Sequence, residues 1–127
     1  MGSADPAATR NAGRPGPSGR WQIGVLLQGQ TLRLSGKDEY QLGRAEAGQT
    51  FKPDVDLGPF RGAELGVSRL HALLKVHGTT LTLTDLGSTN GTLVNGLRLK
   101  PDSPHPVRYG DEVRLGKLAM RIHIEPE

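Results

Sequence analysis

The stretch Leu70–Leu86, LHALLKVHGTTLTLTDL, decides the fold. In its second half Leu81 and Leu83 alternate with Thr80, Thr82 and Thr84. A period of two sends the leucines to one face of an extended chain and the threonines to the other. His77-Gly78-Thr79 separates this run from LHALLKVHG, so the two halves read as the arms of a hairpin.

The same pattern continues outward in both directions. TLVNGLRLK (92–100) turns on Asn95-Gly96, the strongest short hairpin signal. EVRLG (112–116) and LAMRIHIE (118–125) end the chain; in the latter Leu118, Met120, Ile122 and Ile124 oppose Ala119, Arg121 and His123. Towards the N-terminus, DVDL (54–57) and EYQLGR (39–44) read as short strands. WQIGVLLQ (21–28) and TLRLSG (31–36) form a first hairpin about Gly29-Gln30, with Leu32 and Leu34 on one face. No segment has a helical stripe, and GPFRGAELG (58–66) is too short and glycine-bounded to form one. Ten to eleven short strands separated by turns predict an all-β fold, an antiparallel β-sandwich with its ligand loops gathered at one end.

Composition narrows the function. Among 127 residues the hydrophobic share is 35%, with 18 Gly and 9 Pro, which predicts one domain with frequent turns and a modest core. With no cysteine, disulfides and Cys-based zinc sites are excluded, which agrees with a cytoplasmic setting. His71, His77, His105 and His123 are scattered without paired spacing, so no metal is expected. No apolar run approaches the roughly 20 residues of a membrane span, and no apolar leader segment is visible. Residues 1–20, rich in Gly, Pro, Ala and Ser, read as a flexible tail or linker, and residues 21–127 as the domain. Thr9 in that tail reads as a solvated threonine. The tail holds Arg10, Arg14 and Arg20 against Asp5; 13 basic and 12 acidic residues remain in 21–127. A near-neutral domain argues against general nucleic-acid binding. Neither a Walker loop nor a dinucleotide fingerprint is present, and no cofactor is expected.

Three loops concentrate hydrogen-bond donors: Gly43-Arg44, VSRLHA (67–72) and GSTNGT (87–92). Together they offer a guanidinium, hydroxyls, an amide side chain and glycine-freed backbone N–H groups. Converging donors without a base–nucleophile pair suit an anion, above all a dianionic phosphate. A hydrolase reading would recruit Ser68, His71 and Asp85. On one extended segment the odd separation of Ser68 and His71 would send them to opposite faces, and no nucleophile elbow is present.

Four motifs stand in register: Gly43-Arg44; Ser68-Arg69-Leu70-His71; Asp85 to Thr92 with Asn95-Gly96; and Tyr109 to Gly116, YGDEVRLG. In order, spacing and strand context they resemble the forkhead-associated (FHA) domain family from about Trp21 to Ile124. The resemblance implies a non-catalytic module that binds phosphothreonine peptides. It implies that Arg44 contacts the phosphate, that Ser68 bonds it through its hydroxyl, and that Arg69 adds its backbone N–H. It implies that Thr89 supports the pocket and Asn90 grips the peptide backbone. Gly43, His71 and Gly91 would be structural. The implied partner is a protein phosphorylated on threonine by a serine/threonine kinase, and the isolated domain would be a monomer. The alternative reading is a phosphate-independent interaction module using sheet surfaces or the 58–66 segment. The connection 45–67 is longer than the family pattern, and Arg61 and Glu64 within it are candidates for peptide selectivity.

Overall fold

The computed structural model describes residues 21–78 and 80–126. Two of the expectations touch residues outside these: the 1–20 tail with Thr9, and Thr79 in the hairpin turn. Among the described residues eleven strands form: β1 (Trp21–Leu27), β2 (Gln30–Leu34), β3 (Glu39–Gly43), β4 (Val55–Asp56), β5 (Leu70–His77), β6 (Thr80–Asp85), β7 (Thr92–Val94), β8 (Leu97–Arg98), β9 (His105–Val107), β10 (Glu112–Leu115) and β11 (Leu118–Pro126). The only helical piece among them is one 3-10 turn, Gly58–Phe60. Sheet order is β2-β1-β11-β10-β7-β8 in one layer and β4-β3-β5-β6-β9 in the other. The predicted sandwich is the observed one.

The alternating side chains explain the layers. Leu118, Met120, Ile122 and Ile124 of β11 all point inward, beside Ile23, Val25 and Leu27 of β1. Leu42, Leu74, Leu81 and Leu83 face them from the second sheet. Each such leucine contributes about 1.5–3 kcal/mol by leaving water. Pairing of β1 with β11 brings Trp21 opposite Pro126, so both ends of the described chain meet in one sheet.

Three details differ from the sequence reading. The first hairpin turns on Gln28-Gly29 (φ 47 and 76), one residue earlier than the Gly29-Gln30 expected. The pair β3–β4 is parallel within an otherwise antiparallel architecture. The strand β9 was not foreseen, because it contains Pro106. It lies at a sheet edge, where a missing N–H costs no ladder bond.

Register places the three donor-rich loops. Gly43 at the end of β3 faces Leu70 at the start of β5. Ala72 faces Asp85 at the end of β6, and Thr92 at the start of β7 faces Leu115. The connections 44–54, 57–69 and 86–91 therefore emerge at one end of the sandwich. The β10–β11 turn joins them there, with Gly116 N donating to Gly91 O at 2.9 Å and Lys117 N to Leu65 O at 2.8 Å.

Candidate functional site

The first loop begins at a close crossing. A β-bulge falls between Leu42 and Gly43, and a Cβ on Gly43 would lie 1.9 Å from Arg69 O. Only glycine admits that approach. Arg44 N then donates to Arg69 O at 3.0 Å, which ties the first loop to the second. The Arg44 side chain, 23% exposed, donates from Nε to Val67 O at 2.6 Å and from Nη1 to Glu46 Oε1 at 2.9 Å. Ala45 N and Gly58 N both donate to Asp56 Oδ1 at 2.9 Å, so one carboxylate holds both loops at their base.

The second loop folds on itself. Phe60 N and Gly62 N donate to Leu57 O, and Val67 N donates to Gly62 O at 2.8 Å. Phe60 is buried, and its carbonyl accepts a bond from Gln28 Nε2. The 58–66 segment is thereby seated on the body of the domain. Arg61 donates to Glu64 through Nε at 3.0 Å and Nη2 at 2.8 Å, with both side chains exposed. These two candidates neutralise each other; the parts of this segment that border the cleft are Ala63 and Gly66.

Ser68 lies before β5, not on it, and its N–H donates to His71 Nδ1 at 3.0 Å. The expectation of opposite faces holds for one shared strand; Ser68 lies outside β5, so it does not apply here. The hydrolase reading still gains nothing. An accepting Nδ1 places the ring proton on Nε2, which donates to Gly91 O at 2.9 Å. Both nitrogens are taken by backbone, and the ring is fully buried. Burial pushes the imidazole below its ordinary range; the Gly91 bond and the nearby Asp85 oppose this without overcoming it. His71 is a brace between two loops.

The third loop is built on Asp85. Its Oδ1 accepts from Ser88 Oγ at 2.5 Å and Thr92 Oγ1 at 2.6 Å, and its Oδ2 from Gly87 N and Ser88 N. Burial alone would raise this carboxyl; the hydrogen bonds from Ser88, Thr92 and Gly87 outweigh it and hold it below its usual range. Gly91, at φ 88, donates its N–H to Ser88 Oγ at 2.9 Å and closes the turn. The loop then reaches across to the second. Thr89 N donates to Ser68 Oγ at 3.2 Å, and Asn90 Nδ2 donates to Gly66 O at 3.0 Å.

Between the three loops lies an open cleft of about 690 Å³. Arg44, Ser68, Arg69, Thr89 and Asn90 all line it. Gly43, His71 and Gly91 stand behind it and shape the loops. Ser68 Oγ accepts from Thr89 N and keeps its own proton to donate. Phe51 and Leu70, the latter 40% exposed, also line the cleft and give it an apolar portion. Neither was singled out from the sequence, since lone apolar residues in or beside an irregular loop carry no periodic signal. Asp111 accepts from Asn95 Nδ2 at 2.9 Å and Arg108 N at 2.8 Å and does not line the cleft. Among the described residues no cluster of His, Asp or Glu is placed to hold a metal ion. No helix there is long and apolar enough to cross a membrane.

The chain is 45% identical over 65 residues to protein FraH of Nostoc, which covers 51% of this chain and 22% of FraH. The chain thus spans under a quarter of that relative. An FHA domain solved in work on phosphothreonine-dependent FHA domain interactions superposes with a TM-score of 0.64 at 27% identity, covering 84% of this chain and 99% of that one. The FHA domain of FhaA, a protein of Mycobacterium tuberculosis, complexed with the intracellular domain of Rv3910, gives 0.61 at 27% identity, over 80% and 99%. The model of the FHA domain family matches residues 40–116, from β3 to the end of the β10–β11 turn's first residue, and with more than half of its length so matched the chain belongs to the FHA domain family.

Proposed function

We propose that the cleft binds phosphothreonine on partner proteins and recruits them without catalysis. The observation that carries this reading is the convergence of Arg44, Ser68, Arg69, Thr89 and Asn90 on one open cleft, with no base free beside Ser68. The Arg44 guanidinium and the Ser68 hydroxyl are donors suited to phosphate oxygens. The Asn90 amide, which also lines the cleft, is suited to grip a peptide backbone. Membership of the FHA family adds support, as does the likeness to a domain studied for phosphothreonine-dependent interactions.

Phosphothreonine carries about −1.5 to −2 charge at neutral pH and three strong acceptor oxygens. Charge-assisted hydrogen bonds contribute roughly 1.5–3 kcal/mol each, so two or three separate a phosphorylated peptide from its unmodified twin. The loops are already cross-linked by backbone and side-chain bonds, so little ordering is needed on binding. The partner would be phosphorylated by a serine/threonine kinase in the cytoplasm, and the isolated domain would act as a monomer.

The experiment is a binding screen with degenerate phosphothreonine, phosphoserine and unphosphorylated peptide libraries. Selective capture of phosphothreonine peptides supports the reading and reports the preferred flanking residues. Equal capture of unphosphorylated peptides would reject it in favour of a phosphate-independent surface.

A further inference from the structure

We propose that Glu46 is a built-in competitor for Arg44, which keeps the cleft closed to anions that make too few other contacts to displace it. The inference rests on the phosphopeptide reading above. The Arg44 guanidinium is shared between two acceptors, Val67 O at 2.6 Å on Nε and Glu46 Oε1 at 2.9 Å on Nη1.

The two acceptors differ in kind. Val67 is buried and its own N–H is bonded to Gly62 O, so its carbonyl stays in place and aims the guanidinium. Glu46 has a side chain 45% exposed, and its rotatable stem can turn out to water. The backbone nevertheless keeps it close. Ala45 N is bonded to Asp56 Oδ1, and Gln49 N is bonded to Glu46 O across a turn. The carboxylate therefore remains within reach of Arg44 whether or not a ligand is present.

A phosphate arriving at Arg44 meets a carboxylate already on the same guanidinium, and two anions at one cation repel each other. An anion that touches Arg44 alone gains one contact and displaces another. A phosphothreonine peptide also reaches the Ser68 hydroxyl, the Asn90 amide and the cleft walls, so it tolerates the exchange. Glu46 thereby discriminates by opposing what should not bind. Glu64 supplies the control: it is another acid on the loops of this end, but Arg61 holds it through two bonds.

The test is a titration of one library-selected phosphothreonine peptide into wild type, Glu46→Gln and Glu64→Gln, with inorganic phosphate as competitor. Glu46→Gln should bind the peptide about two- to fivefold more tightly, the range set by a part-exposed ion pair. Inorganic phosphate's inhibition constant, corrected for the peptide's own tighter binding, should be lower in Glu46→Gln than in wild type. Glu64→Gln should bind like wild type, and all three should melt together. Unchanged or weaker binding by Glu46→Gln overturns the inference while leaving the phosphopeptide reading intact. An equal gain in Glu64→Gln also overturns it, since net charge alone would then explain the effect. Failure of wild type to bind any phosphothreonine peptide removes the parent reading and this inference with it.

Discussion

At the scale of single residues, the site depends on a few groups with no alternative partner chemistry. Arg44 supplies the guanidinium in the cleft but holds little of the fold, since its bonds go to one carbonyl and one exposed carboxylate. Arg44→Ala should cost about 2–4 kcal/mol of phosphopeptide binding and about 1 kcal/mol of stability. Calorimetry and urea unfolding separate the two. His71 behaves in the opposite way. Its folded-state pKa is lowered from the ordinary 6.5, chiefly by burial, so the unfolded chain takes up the proton first as pH falls. Its contribution is complete above about pH 6.5 and declines on acidification below it, by up to about 1.4 kcal/mol per pH unit. Urea midpoints measured from about pH 7 to 5 should show this slope in wild type and lose it in His71→Gln. An unaltered slope in that variant would assign the pH dependence to other groups.

At the scale of elements, the strands with clean alternation were legible and the irregular ones were not. β6 and β11 announce their buried faces through Leu81 and Leu83, and through Leu118 to Ile124. The Asn95-Gly96 hairpin was legible because both residues must adopt positive φ, at 50 and 83. β9 was hidden by Pro106, and the parallel partner of β3 is a two-residue strand whose direction no local pattern encodes. In the site, the donors on the loop motifs were legible, whereas Glu46 and Phe51 lie in a loop placed by tertiary bonds. Gly43 joins element to site, because its bulge turns Arg44 towards Val67 and crosses Arg69 closely. Gly43→Ala should destabilise the fold by about 1–3 kcal/mol through overpacking and weaken peptide binding by shifting Arg44. Thermal unfolding and a peptide titration on the same sample test this. A fully stable variant with unchanged binding would show that the crossing relaxes without cost.

At the scale of the whole molecule, the two sheets carry at one end a set of loops already cross-bonded to one another. Asp56 and His71 each join two loops and Asp85 holds the third together, so the cleft exists before any ligand arrives. Binding should therefore slow hydrogen exchange at amides within 44–46, 66–70 and 87–91, with no change in β1, β2 or β9. Protection spread through both sheets would instead indicate a conformational change. Charge supports a local mechanism too, since residues 21–127 are close to neutral and offer no broad field to attract phosphate. The most direct measurement is a calorimetric titration of one phosphothreonine peptide and its unphosphorylated twin into wild type and Arg44→Ala. Tight binding of the phosphorylated peptide alone, lost with the arginine, is the predicted result; equal binding of both peptides, or binding indifferent to Arg44, would contradict the assignment of the cleft.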